Sequence, residues 1–151
     1  MKISVGADHA GYEMKQQLIE FVKNCGHSVH DVGTFAPGKP DDYPDYAILV
    51  AEDLRSGQAN RGILVCGSGV GVSVAANKFK GVRAGLCHDH YSAHQGVEHD
   101  DMNVLVLGAR VVGLMTAQEA VEAFLNAKFS GEERHVRRLN KIKRIEEDEF
   151  R

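Results

Sequence analysis

The chain is poor in cysteine, in net charge and in long apolar runs, and each shortage excludes something. Three cysteines, Cys25, Cys66 and Cys87, are spread over 151 residues and form no Cys-x-x-Cys pair. So sparse and odd a set is not a disulfide framework and points to reduced thiols in the cytoplasm. A formal net charge of -3 makes no general case for nucleic acid or a membrane as partner. No apolar run is long enough to span a bilayer, and the opening residues run straight into a strand pattern, so no secretory leader is expected. Linkers, internal repeats and low-complexity segments are also missing from the pattern. What remains is an ordinary soluble composition, 43% hydrophobic and 26% charged. The length suits one domain over residues 1–151 with a sizeable core.

Periodicity divides the chain into alternating strands and helices. Ile3 to Ala7 reads as a first strand, and Tyr12 to Asn24 as a helix with Met14, Leu18, Phe21 and Val22 on one face, closed by Gly26. Ser28 to Val32 is a second strand. Phe35 to Asp42, with Pro37, Gly38 and Pro40, is a loop, and Pro44 starts a helix that stops near Gly57. Ile63 to Val65 is a third strand, Val82 to Cys87 a fourth and Val104 to Leu107 a fifth. Helices are expected over Val72 to Lys78, His88 to His99, Thr116 to Phe129 and Glu132 to Glu147. Such alternation predicts an α/β fold: a three-layer α/β/α, Rossmann-like domain with a five-stranded parallel sheet and an extra C-terminal helix. That last helix carries an apolar stripe, Val136, Leu139, Ile142 and Ile145, which needs the sheet layer or another subunit to cover it.

The stretch that organises the rest is Cys66-Gly67-Ser68-Gly69-Val70-Gly71, between the third strand and a helix start. Glycines let the backbone approach a ligand closely, and the first N–H groups of a helix point at whatever sits there. Cys66 closes the strand at the edge where open α/β sheets bind ligands. A thiol beside a helix N-terminus tends toward a lowered pKa and can act as base or nucleophile, although cysteine at a strand end also serves simply as packing. Asp8-His9 closes the first strand on the same edge, where a carboxylate and an imidazole could move protons, or where Asp8 could cap the next helix. His90 and His94 share a helix face and are candidate metal ligands or plain surface residues. Arg134 and Arg138, also four apart, suit a phosphate, or else form a solvated face with Glu132 and Glu133.

Several motifs together carry a resemblance: Val5-Gly-Ala-Asp8-His9-Ala-Gly11, Asp42-Tyr43-Pro44, Cys66-Gly-Ser-Gly-Val-Gly71 through Asn77, His99 through Asn103, Gly108-Ala-Arg110-Val-Val-Gly113 and Arg134-His135. In order and spacing they resemble type B ribose-5-phosphate isomerases, nearly end to end. The resemblance implies an aldose–ketose isomerase that works through a cis-enediolate without metal or other cofactor. It implies Cys66 as the base between C1 and C2 and His99 as the group that helps open the sugar ring. The N–H groups from Gly67 through Gly69 and Val70 to Gly71 would form an anion hole, with Ser68 beside it. Asp8 and His9 would contact the sugar, with Tyr43 and Arg110 as further binding residues. His9, Arg134 and Arg138 would hold the phosphate. Such enzymes are homodimers or homotetramers in which the His99 segment reaches a neighbour's site. Asp100 departs from the family's asparagine, and an ionised carboxylate cannot donate a hydrogen bond; it is expected to tune substrate choice, turned toward Arg110 or another cation. Relatives that act on allose or galactose 6-phosphate leave a six-carbon substrate open.

Two other readings compete. A dinucleotide-binding module would use the glycine loop with Asp89 as its ribose acid, but Val72 stands where the third glycine belongs. A metal enzyme would use His90, His94 and His99 together.

Overall fold

A computed structural model of the chain describes residues 1–150. Strands and helices follow one another as β1 (Lys2–Ala7), α1 (Tyr12–Asn24), β2 (Ser28–Gly33), α2 (Tyr43–Arg55), β3 (Arg61–Cys66), α3 (Val70–Ala76), β4 (Ala84–Leu86), α4 (His90–Asp100), β5 (Val104–Gly108), α5 (Leu114–Asn126) and α6 (Glu133–Glu149). The strands form a five-stranded sheet in the order β2-β1-β3-β5-β4, and every pairing is parallel.

Side chains alternate across a strand, so β1, β3 and β5 feed two cores at once. Ile3, Val5, Ile63, Val65, Leu105 and Leu107 face α1 and α5 with Leu18, Val22, Val121 and Phe124. Leu64, Cys66, Val104 and Val106 face α2 and α3 with Val50, Val72 and Ala76. Each fully buried aliphatic or aromatic side chain contributes roughly 1.5–3 kcal/mol. Both faces are covered, which is why the three central strands read as near-continuous apolar runs.

Several element bounds differ from the sequence expectation, and three of them have a visible cause. The fourth strand is only Ala84–Leu86. It lies at the sheet edge, and before it Val82 N–H donates to the Phe79 carbonyl instead of the ladder, while the Asn77 side chain brackets Ala84, the first strand residue, through the N–H and carbonyl of Ala84. The helix of the glycine loop begins at Val70 rather than Val72, because Gly69 supplies a left-handed cap at φ +80°. The fifth helix ends at Asn126 rather than Phe129, where the Arg61 guanidinium binds the carbonyls of Phe124 and, at 2.8 Å, Ala127.

From β1 the chain crosses to β2 on one side, and from β3 it proceeds to the other side. The carboxyl ends of β1 and β3 therefore flank the point where the winding reverses, and a crevice opens there. Asp8 follows β1, and Cys66 ends β3.

Candidate functional site

At that crevice the Cys66 thiol donates to Asp8 Oδ2 at 3.1 Å. Asp8 Oδ1 accepts the N–H groups of Ala10 and Gly11, both at 3.1 Å. One oxygen thus folds the turn after β1 and the other faces the sulfur, so Asp8 shapes the turn into α1 and also touches the thiol. Both side chains are buried. Burial, then the Asp8 hydrogen bond and charge, push the Cys66 thiol up to about 11, against the opposing N–H groups of Gly67 and Gly69. This reverses the lowering expected beside a helix N-terminus. α3 is only seven residues long, and two N–H dipoles do not outweigh desolvation plus a facing carboxylate.

The glycine loop is locked from below. The Cys66 and Gly67 carbonyls accept the N–H groups of Ala109 (2.8 Å) and Arg110 (3.0 Å). A Cβ on Gly108 would lie 2.4 Å from the Ser68 carbonyl, and one on Gly69 would lie 2.7 Å from Leu86. Above the loop, Tyr43 covers Gly71 so closely that a Cβ there would meet its ring at 2.6 Å, and the Arg110 guanidinium lies beside Gly67. Val70 N–H donates to Ser68 Oγ at 3.2 Å. That donor is already engaged, and those of Gly67 and Gly69 reach the sulfur, so the loop's N–H groups are shared between the thiol and any oxyanion.

Asp8, His9, Tyr43, Cys66, Gly67, Ser68, Gly69, Val70, Gly71 and Arg110 are thus gathered at one edge. The structure does not bring His99, Arg134 or Arg138 to them. Helix α4 starts beyond the carboxyl end of β4 and runs back, so its last turn lies at the opposite edge of the sheet. There Asp101 binds Arg83 at 2.7 Å, and the Arg83 backbone binds Asn103. His99 bonds Gln95 through Nδ1 at 2.9 Å and stacks on His135 with ring centroids 4.0 Å apart. His135 is almost wholly buried, binds Ser130 Oγ through Nδ1 at 2.6 Å and leaves Nε2 without a partner. Burial, then the charges of His99, Arg134 and Arg138, hold its pKa down against the opposing charge of Glu132, so these groups surround one ring. Within one chain His9 therefore cannot share a phosphate with Arg134 and Arg138. Arg134 Nε meets Glu132 at 3.0 Å on the exposed side of α6. Asp100 does not take up Arg83; its neighbour Asp101 does, and Asp100 is exposed beside a cavity of about 510 Å³ whose other walls include Met102, Ile142 and Ile145.

The competing assignments lose their geometry. Asp89 accepts the Ser92 N–H at 2.7 Å as the cap of α4, which accounts for it without a ribose. His90 and His94 line a groove with Glu119 and Glu122 between α4 and α5, while His99 lies against α6. Asp8, His9 and Asp41 place donor atoms within 4.8 Å of one another. Those of Asp8 and Asp41 are already bound to N–H, S–H or O–H groups, which a metal ion would have to displace.

Two residues at this edge were not singled out in the sequence. His88 Nε2 accepts the Gly108 N–H at 3.0 Å, which fixes the ring as its Nδ1–H tautomer and holds the end of β5 under the glycine loop. Asp41 binds His9. His88 follows β4 directly at the ligand edge, a position that could have marked it; Asp41 sits in a polar loop with no periodicity.

Comparison with known proteins identifies the family. The family model described as Ribose/Galactose Isomerase matches residues 3–142. Ribose-5-phosphate isomerase B of Escherichia coli is 44% identical over 146 residues, covering 97% of each chain. D-erythrulose-4-phosphate isomerase of Pectobacterium atrosepticum is 38% identical over 131 residues, covering 87% of this chain and 86% of its own. The structure of Clostridium thermocellum ribose-5-phosphate isomerase B superposes with a TM-score of 0.94 at 46% identity, covering 98% of this chain and 99% of that one. The chain belongs to the ribose/galactose isomerase family.

Proposed function

We propose that the chain is a single sugar-phosphate isomerase domain that interconverts ribose 5-phosphate and ribulose 5-phosphate through a cis-enediolate, as a step of the pentose phosphate pathway. The observation that carries this is the Cys66–Asp8 pair under a loop of N–H donors. Moving a proton between C1 and C2 needs one base that reaches both carbons and donors for the oxyanion that develops. Cys66 is that base: its proton passes to Asp8 Oδ2, 3.1 Å away, and the thiolate left behind, from a thiol pushed up to about 11, is a strong base for the substrate proton. The loop N–H groups and the Arg110 guanidinium stabilise the enediolate; one such donor is worth about 3 kcal/mol. Asp8, His9 and Tyr43 hold the sugar, and the phosphate positions the substrate from a distance.

His99, Arg134 and Arg138 complete the site from a second copy of the chain, so the enzyme is a homodimer or a higher homo-oligomer. His99 then opens the ring at the neighbour's Cys66, and the two arginines close on the phosphate beside His9. Mixing Cys66→Ala with His99→Ala, each inactive alone, should restore about a quarter of wild-type activity, because each mixed dimer rebuilds one intact site. No recovery after subunit exchange would mean that both groups serve the same chain. Three unbridged cysteines fit a cytoplasmic enzyme. Relatives named for other sugar phosphates make substrate preference the sharper question. Initial rates with ribose 5-phosphate, erythrulose 4-phosphate, allose 6-phosphate and galactose 6-phosphate, measured side by side, should favour ribose 5-phosphate; a higher kcat/KM for another sugar overturns that assignment.

A further inference from the structure

We propose that Asp41 is a positioning residue that fixes the His9 imidazole for the phosphorylated substrate. Asp41 Oδ1 accepts both the His9 backbone N–H at 2.9 Å and its Nδ1 at 2.6 Å. Asp41 Oδ2 accepts the Tyr46 hydroxyl at 2.6 Å. Both oxygens are thereby pinned, one by the segment after β1 and one by α2, and the carboxylate cannot swing away. Burial opposes its charge, but the hydrogen bonds from Tyr46 and His9 outweigh this and hold its carboxyl below the usual range. It is therefore an acceptor only at neutral pH. Nδ1 of His9 must carry a proton to meet it, which leaves Nε2 as the nitrogen free for a ligand: unprotonated it accepts from a sugar hydroxyl, and only in the imidazolium does it donate to a phosphate oxygen. The ring itself is partly exposed, with 39% of its side chain open to solvent, so without Asp41 nothing this firm would fix its rotamer. A ring held before the substrate arrives loses less freedom on binding.

The inference rests on the reading above that His9 contacts the substrate, and the test separates the two. His9→Ala, Asp41→Ala and the double variant are compared on ribose 5-phosphate, with thermal melting as a check on folding. His9→Ala should raise KM; if it does not, the assignment of His9 to the site fails. Given that rise, Asp41→Ala should raise KM about tenfold with kcat nearly unchanged. The double variant should match His9→Ala alone, because the effect of Asp41 runs through His9. Asp41→Asn, which keeps an acceptor in place, should recover most of the loss, and Tyr46→Phe should raise KM in the same direction by less. Long-range ¹H–¹⁵N correlation of the histidine rings, with His9 assigned by its absence in His9→Ala, should show Nδ1–H in the wild type and a mixed tautomer in Asp41→Ala. An unchanged KM in Asp41→Ala, additive effects in the double variant, or an Nε2–H tautomer in the wild type would each overturn the proposal.

Discussion

Asp8→Asn removes one negative charge from a point 3.1 Å from the Cys66 sulfur and leaves a side chain of nearly the same shape. The amide oxygen can still accept from Ala10 and Gly11, so the turn after β1 should survive. Burial is the largest of the causes that push the thiol from 9.0 to about 11, and it is untouched by the change. The Asp8 hydrogen bond and charge are the smaller causes, and both are lost when the amide NH2 group faces the sulfur, so the thiol pKa should fall, an effect of about 0.7–1.4 kcal/mol. At pH 8 the thiolate population would then rise ~3–10-fold. A weaker base is also a weaker nucleophile, so the alkylation rate should rise only about two- to threefold. The assay is iodoacetamide labelling of residue 66 in a Cys25→Ser background, since Cys25 is exposed and would compete. Isomerisation should move the other way and fall at least about tenfold, because the carboxylate that faces the thiol and takes its proton is gone. Labelling no faster than in the wild type would refute the claim that the Asp8 charge holds the proton on sulfur.

Three other outcomes follow from the same geometry. Arg134→Ala and Arg138→Ala should each weaken binding of the phosphorylated substrate by ~1.5–3 kcal/mol, read as a raised KM; wild-type KM in both would leave α6 a solvated basic face. Asp100→Asn should change the ratio of kcat/KM between ribose 5-phosphate and the six-carbon phosphates; an equal change in kcat for every sugar would place Asp100 in the chemical step instead. Burial, then the Asp89 charge, push the Cys87 thiol up to about 11 as well. The folded chain therefore prefers the neutral thiol. That preference is fully present below pH 9, where the unfolded thiol is also protonated, and is lost as pH rises through 11, at a cost of at most about 2.7 kcal/mol. Melting temperature against pH should fall more gently above pH 9 in Cys87→Ala than in the wild type; parallel curves would contradict the burial argument.

Much of this was legible in the residues. The apolar runs of β1, β3 and β5 and the stripe of α1 follow from elementary periodicity, and α1 begins and ends where the pattern does. Asp8 and Cys66 could be set on one edge because parallel strands share their carboxyl ends. The edge strand was overdrawn at its start because Val82 is a buried apolar residue whose N–H turns back to Phe79 instead of joining the ladder. The resemblance sends His99 to a neighbour's site, and a helix that returns antiparallel to its strand carries its last turn to the far edge of its own sheet. The sign of the Cys66 shift was out of reach because a sequence shows the helix start after the glycine loop but not the carboxylate facing the sulfur. Asp41 and Tyr46 act through contacts that fold a polar loop onto His9, and such contacts leave no period to read.

The central claim is that Cys66 moves the proton between C1 and C2 of ribose 5-phosphate. It is tested most directly by measuring turnover and binding on the same Cys66→Ala protein. Ribose 5-phosphate should bind the variant by calorimetry with an affinity close to that of the wild type, while conversion to ribulose 5-phosphate falls by orders of magnitude. Near-normal conversion by Cys66→Ala would contradict the account.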